Sequence, residues 1–275
     1  MSNAFFALGR TDVGLVREEN EDAFLLLDGA ELGGPPLHLR GCVAVADGMG
    51  GHAYGALASN TALDAVSESI RQPGDWPSLS SLMRHVVAMA NERVFELSDP
   101  QAHRRPATTL TMLAINDSDF VVAHVGDSRA YLCRGGHIRR LTLDHTKVAE
   151  ALAEGVISER IAAVSPLRHV LSRAVGNEPI TEPQLVVGEW QQNDLFLLCS
   201  DGLTEHVSDE ELQRFAQDWG DRDLMAMALI ETANERGGSD NVTVVIVECF
   251  GEPEAKGLTP GARRQKTDTF ENPLG

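Results

Sequence analysis

Short apolar runs that stop at, or start from, an aspartate constrain this chain more than any other feature. VAVA leads into Asp47, VVAHVG into Asp127 and LFLLCS into Asp201, while Asp240 opens onto VTVVIV. Runs this short, bounded by turn residues, fit strands buried on both faces better than helices. A carboxylate at the edge of such a strand is costly unless something pairs with it. Lysines and arginines are scarce in sequence beside Asp47, Asp201 and Asp240.

The order of elements narrows the fold. Strands are expected at 4–9 and 23–27 around a polar turn region, 10–22, followed by a hairpin or loop over 28–41 and a buried strand at Cys42–Ala46. A helical stripe at Leu63, Val66 and Ile70 marks a helix over 54–71, and PGDWPS (73–78) ends it. A second helix is expected over 79–97, with Leu79, Leu82, Val86, Ala90 and Val94 on one face. TLTMLAI, DFVVAHV and RAYLCR then read as strands separated by turns at 116–119, 126–127 and 135–136. Two weak helical segments near 147–163 precede a stretch, 164–184, with three prolines and little period, which reads as a surface insertion. After the strand LFLLCS, helices are expected at 208–217 and 223–235, and a last strand at 242–248. Strands and helices do not alternate, so a doubly wound sheet is excluded and an α+β fold of two packed sheets with helices outside is expected.

The chain has 275 residues, enough for one well-packed domain or two small ones, and 43% are apolar, so a large core is available. The formal net charge of −18 argues against nonspecific nucleic-acid binding. Part of that acidity could face bound cations. Cys42, Cys133, Cys199 and Cys249 lie in or beside apolar runs without a CxxC pair, and read as buried thiols. Neither a signal-peptide pattern nor an apolar run approaching the ~20 residues of a membrane span occurs, so a soluble cytoplasmic protein without membrane insertion is expected.

The candidate ligands are oxygens rather than converging cysteines and histidines, which favours a hard divalent ion such as Mg²⁺ or Mn²⁺ over structural zinc. One aspartate can bridge two cations ~3.5–4 Å apart, and such a pair lowers the pKa of a water held between them. Any one Asp-Gly is by itself more often a turn. Arg17 offers a planar fork for phosphate oxygens, or else a surface ion pair with Glu21 or Asp22. DGMGGH matches neither nucleotide-binding glycine pattern, and no G-x-S-x-G elbow is present.

Arg17-Glu18-Glu19-Asn20-Glu21-Asp22, Asp47-Gly48-Met49-Gly50-Gly51-His52, Thr108-Thr109, Val125-Gly126-Asp127-Ser128-Arg129-Ala130, Leu143-Asp144-His145-Thr146, Ser200-Asp201-Gly202 and Asp240-Asn241-Val242-Thr243 stand in a specific order. Over roughly residues 5–249 the chain thereby resembles the metal-dependent protein phosphatases of the PP2C class (PPM family) in their compact bacterial form. Each motif alone is weak; the ordered set is specific. The resemblance implies a four-layer α-β-β-α sandwich, two mainly antiparallel sheets flanked by helices, with cations in a cleft at one edge. It implies one catalytic domain over 1–250, with a mobile flap at 147–176 that includes Arg168-His169-Val170-Leu171 and Arg173, and a flexible tail over 251–275.

Carried onto this sequence, the resemblance makes Asp47 the bridging ligand, Asp201 and Asp240 ligands of one cation, and the Gly48 carbonyl a ligand of the other. Glu21 would hold metal-bound water, with Asp22 supporting that shell; Arg17 would clamp the substrate phosphate, and Asn241 would orient Asp240 or a water. Two Mn²⁺ or Mg²⁺ ions are implied, and bacterial members often add a third, here with Asp127 and Asp201 as protein ligands. The implied reaction is direct hydrolysis of phosphoserine or phosphothreonine esters by a bridging hydroxide, without a phosphoenzyme. Phosphorylated proteins, a serine/threonine kinase and its targets are the implied partners, and a monomer the default. Animal members carry a histidine two residues after the bridging aspartate; here Met49 stands there and cannot donate a proton, leaving a metal-bound water as donor, with His52 nearby.

Three rival readings share these features: a phosphatase specialised for a sigma-factor regulatory partner, a noncatalytic phosphoprotein-binding module with the same fold, and a metal-dependent nuclease. Retention of Asp47, Asp201 and Asp240 counts against the second, and the −18 balance against the third. In the tail, Lys256, Arg263, Arg264 and Lys266 precede Thr267 and Thr269, a pattern open to phosphorylation, docking on the acidic body, or no role.

Overall fold

The computed structural model describes residues 5–29, 36–50, 53–72, 74–98 and 105–250. The expectations for His52, Gly51 and the tail over 251–275 lie outside these residues. Within them two antiparallel sheets pack face to face. One runs β1 (Phe5–Asp12), β11 (Val242–Cys249), β10 (Leu195–Cys199), β7 (Arg129–Arg134), β8 (His137–Arg140). The other runs β2 (Asp22–Asp28), β3 (Gly41–Met49), β5 (Leu110–Ile115), β6 (Asp119–Val125), β9 (Gln184–Glu189), with β4 (Ala107–Thr108) paired to β3.

Side-chain alternation divides the apolar residues into three layers. Cys42, Ala44 and Ala46 of β3 face α1 (Ala53–Arg71) and α2 (Leu79–Phe95), packing on Leu63, Val66, Leu82 and Val86. Their alternates, Val43 and Val45, face the other sheet and meet Phe120, Phe196, Leu198 and Val245. On the far side, Leu195, Leu197, Val244 and Ile246 pack on α5 (Asp201–Thr204), α6 (Asp209–Asp218) and α7 (Arg222–Glu235). The layers are therefore helix, sheet, sheet, helix, as expected. The four cysteines are buried free thiols, and burial pushes Cys42, Cys199 and Cys249 up to about 12.

Three features differ from the sequence reading. Strand β3 does not end at Ala46 but runs on to Met49, because β4 pairs with Gly48 and Met49. Segment 164–184 is not wholly a surface insertion: Val175 is fully buried, exchanges backbone hydrogen bonds of 3.0 and 2.9 Å with Thr108, and packs with the first helical layer. Gly176 N–H donates to Asn91 Oδ1 at 2.8 Å, and β9 begins at Gln184. A chain that enters the core for one or two residues leaves no periodic trace. The short strand β8 was not anticipated; its HIRR sequence is an edge with only half-buried apolar content.

Before β9 lie α3 (Lys147–Ala153) and α4 (Glu159–Ala163), where the weak helical segments were read. Among the described residues no helix is long and apolar enough to cross a membrane.

Candidate active site

The inter-sheet layer changes character at one end. Continuing the alternation from its Phe and Val residues leads to Asp22, Asp47, Thr109, Thr111, His124, Ser128, Ser200 and Thr243, a polar cap on an otherwise apolar core. Asp22 and Asp47 are direct cross-strand partners in the β2–β3 register. Like charges in that relation repel at close range.

Hydroxyls from both sheets hold this end in place. Ser200 Oγ donates to Asp22 Oδ2 at 2.7 Å and accepts the Thr243 N–H at 2.9 Å, so one serine joins the two sheets. Thr109 Oγ1 accepts the Asp47 N–H at 2.9 Å and shares a 2.7 Å hydrogen bond with Ser128 Oγ, beside Asp127. Thr108 Oγ1 donates to the Asp47 carbonyl at 2.9 Å. The turn that presents Asp127 passes through Gly126 at φ +114°, where a side chain is disfavoured and a Cβ would strike Thr109 at 2.6 Å. His145 Nδ1 accepts the Gly126 N–H at 3.1 Å, and its ring packs on His124 at 4.7 Å. Burial lowers both imidazoles, to about 4 and about 3, so they are neutral props rather than proton carriers at neutral pH.

Asp201 opens α5 directly after β10, and Asp240 precedes β11. Burial is the largest cause raising Asp47 well above the usual carboxylate range, and Asp22, Asp201, Asp127 and Asp240 add to it. Asp22 rises to about 7 by burial, opposed by hydrogen bonds from Ser200 and Thr243 and reinforced by Asp201 and Asp240. Asp127 rises to about 8, again by burial first and then by Asp201. The four separated aspartates thus converge with Asp22 in one mutual field. Burial also raises Glu21.

Several of these oxygens have no protein partner. Glu21 Oε1, Asp22 Oδ1 and Asp201 Oδ1 are buried without a hydrogen bond. Space is kept for them: a Cβ on Gly55 would lie 2.4 Å from Glu21 Oε1, and one on Gly48 would lie 2.1 Å from the Gly55 carbonyl. Orphaned carboxylate oxygens in a shared field, with an all-oxygen donor set, fit hard divalent cations. Asp47, Asp201, Asp240, the Gly48 carbonyl and Glu21 are the residues that would hold them.

One alternative reading is corrected here. Arg17 pairs with neither Glu21 nor Asp22; its Nη2 lies 2.7 Å from Asp240 Oδ2, and the side chain is about half exposed. Asn241 reaches the Asp240 carboxylate through its backbone N–H, while its side chain serves a different group. Its Oδ1 accepts the Glu21 N–H at 2.8 Å and its Nδ2 donates to the carbonyls of Val13 and Glu19 at 2.9 and 3.0 Å. Asn241 therefore fixes the loop that carries Arg17 and Glu21, while its backbone N–H reaches Asp240 Oδ1 at 2.8 Å.

Sequence reasoning missed Gly55, whose close approach to Gly48 leaves no mark in a helix-like segment, and assigned no role to the hydroxyls of Ser200 and Thr109. It placed His169 only within the flap segment and gave Glu205 no role, yet His169 Nδ1 lies 3.0 Å from Glu205 Oε1 and 3.8 Å from Asp201 Oδ2.

The family model for protein phosphatase 2C matches residues 6–242. A serine/threonine phosphatase, stp, of Listeria monocytogenes is 34% identical over 243 residues, covering 87% of this chain and 94% of its own. The crystal structure of the Mycobacterium tuberculosis serine/threonine phosphatase PstP/Ppp superposes with a TM-score of 0.78 at 32% identity, over 90% of this chain and 99% of its own. A structure of the PstP catalytic domain in complex with two manganese ions gives 0.75 at 32% identity, over 90% and 99%. A fold of this layering with an aspartate-lined end defines a metal-dependent phosphatase class. The chain belongs to the protein phosphatase 2C family. Its activity is that of the family, metal-dependent serine/threonine phosphatase activity.

Proposed function

We propose that the chain hydrolyses phosphoserine and phosphothreonine esters on proteins, with the aspartate-lined end of its sandwich as the reaction centre. The observation that carries this reading is the convergence of Asp22, Asp47, Asp127, Asp201 and Asp240 in one field, with buried oxygens left unpaired and Arg17 at the rim. Asp47, Asp201, Asp240 and the Gly48 carbonyl would hold two Mn²⁺ or Mg²⁺ ions, and Asp127 with Asp201 would hold a third. The manganese-bound PstP relative supports two core ions. Bound cations lower the pKa of water and neutralise charge on the transferring phosphoryl group.

The protein side chains act around that chemistry. Glu21, held through its backbone by Asn241, accepts a hydrogen bond from water at the centre. Asp22, anchored by Ser200, keeps Asp47 in register and adds to the negative field that draws cations in. Arg17 leaves Asp240 to grip two phosphate oxygens, which its planar fork matches. Met49 offers no proton to the departing alcohol, so solvent supplies it. Segment 147–176 acts as a flap beside the cleft. The partners are a serine/threonine kinase and its phosphorylated targets, reached in the cytoplasm by a monomer.

Initial rates on a phosphothreonine peptide with Mn²⁺, Mg²⁺ or EDTA, with Asp240→Asn as matched control, test the assignment. Metal-dependent turnover that the variant loses is expected. Folded, metal-loaded protein without turnover would turn the reading towards a phosphoprotein-binding module.

A further inference from the structure

We propose that the basic C-terminal segment Lys256–Lys266 of this same chain docks in an acidic groove between β1 and α7. Its sequence, KGLTPGARRQK, carries Lys256, Arg263, Arg264 and Lys266 and no carboxylate, in a chain whose net charge is −18. The segment follows β11 in the chain.

The groove lies at the edge of a sheet. Strand β1 pairs with β11 on one side, and among the described residues no strand pairs with the other. Helix α7 runs beside β1. Arg222 donates to Glu248, the register partner of Phe6; Arg10 donates to Asp223; and Asn234 Nδ2 donates to Asp12 Oδ1 at 3.0 Å. Between the two elements is a hollow of about 550 Å³. Leu15, Met227 and Ile230 supply its apolar surface, and Asp12, Glu231 and Glu235 line it with carboxylates. Arg10 is the one cation among its described lining residues. It donates from Nε and Nη2 to the two Asp223 oxygens at 2.8 Å each, so it does not offset the other carboxylates. Leu15 and Met227 are more than half exposed, and the exposed Phe6 and Leu224 carry apolar surface back towards the start of β1.

Apolar surface with carboxylates around it fits lysine and arginine, whose stems lie on apolar groups while their heads meet the charges. Leu258, between Lys256 and Arg263, adds an apolar anchor. Connectivity favours this chain's own segment over a separate partner. Strand β11 ends at Cys249, opposite Phe5, and a chain that turns back there runs in the direction of β1. Arg10, on the lining of the hollow, is five residues along β1 from Phe5, about 17 Å. Lys256 stands seven residues past Cys249, about 23–25 Å of extended chain, so the basic segment reaches the hollow. A short tether raises the local concentration to the millimolar range, where surface ion pairs that are weak singly can hold a segment. At its far end the groove touches Leu15, whose N–H donates to the Gly238 carbonyl at 2.8 Å in the loop leading to Arg17. The docked segment thus lies against the loop that carries the phosphate clamp.

Methyl resonances of the whole chain labelled with ¹³C-methyl methionine test this, with Met227 assigned through Met227→Leu. The four native cysteines are buried, so Thr269→Cys provides one accessible thiol for a nitroxide spin label. The label should broaden the Met227 methyl signal. Arg263→Glu with Arg264→Glu should remove that broadening, and adding Glu231→Arg with Glu235→Arg should restore it. Absence of broadening, or equal broadening with and without the tail reversal, would overturn the proposal, the latter because a merely tethered chain gives it too. Loss without restoration by the groove reversal would remove this groove as the docking site. Broadening as strong when the label and the ¹³C methyls sit on different chains would assign the groove to a second copy and refute docking within one chain. None of these readouts requires turnover, so failure of the docking is distinguishable from failure of the phosphatase reading.

Discussion

Asp22 is the residue through which the cost of the aspartate cluster is most directly measured. It is 7% exposed and directly opposite Asp47 across the β2–β3 pair, and its pKa in the folded protein is about 7. In the unfolded chain a carboxyl of this type titrates near its ordinary value, ~3.9. The folded state therefore holds a proton that the unfolded state has lost. The sign follows: the stability contributed by that proton is intact below about pH 4 and is lost as pH rises through about 7. Between pH 5 and pH 8 about two pKa units of that loss remain, or roughly 2–3 kcal/mol at ~1.4 kcal/mol per unit. Asp22→Asn keeps the shape and can still accept from Ser200, but it does not titrate. Melting in EDTA should show the variant gaining on wild type by roughly 5–10 °C between pH 5 and pH 8, at ~2–4 °C per kcal/mol for a chain of this size. Saturating Mn²⁺ should cancel the gain, since the carboxylate then faces positive charge. A gap that does not change with pH in EDTA, or that narrows as pH rises, would refute the argument that Asp22 is held in an uncompensated field.

Arg17→Ala should raise KM for a phosphothreonine peptide about tenfold or more, the size of a lost charge-assisted hydrogen bond, while unchanged steady-state KM and kcat would remove its clamp role. Gly55→Ala places a Cβ 2.4 Å from Glu21 Oε1 and 2.9 Å from the Gly48 carbonyl carbon, so it should cost about 1–3 kcal/mol in denaturant unfolding and weaken Mn²⁺ binding by calorimetry. Asp127→Asn should leave the two core ions bound but lose one weaker Mn²⁺; metal titration of the variant reads this directly, and an unchanged isotherm removes Asp127 from the ligand set.

The fold was legible where burial is two-sided. LFLLC and VTVVIVEC lie at the middle of a sheet with helices on one face and a second sheet on the other, so both faces are apolar and the runs are unbroken. The aspartates at their ends were legible for the same reason, since a charge stands out against such a run. What was illegible depends on distance along the chain. Arg17 finds Asp240 across 223 residues, and Ser200 finds Asp22 across 178. Nothing local in either segment distinguishes those partners from Glu21 or Asp201. Val175 was missed because it enters the core alone, and the hold of the Asn241 side chain on the loop was missed because it serves the backbone of a remote segment.

The arrangement separates the positioning of the carboxylates from the binding of cations. Ser200 and Thr109 fix Asp22 Oδ2 and the backbone of Asp47 by hydrogen bonds that involve no ion. Asn241 does the same for the backbone of Glu21. The oxygens left over, Glu21 Oε1, Asp22 Oδ1 and Asp201 Oδ1, are then free of protein partners and already in place. Such preorganisation removes reorganisation from the reaction step, where it would slow phosphoryl transfer. Its cost appears in the metal-free protein, as raised carboxyl pKa values and unpaired buried oxygens. Cations that bind the folded centre and not the unfolded chain offset that cost by mass action. Stability and activity in this protein should therefore rise over the same range of free Mn²⁺, and variants such as Asp22→Asn that stabilise the metal-free state by removing a carboxylate from the field should at the same time weaken cation uptake.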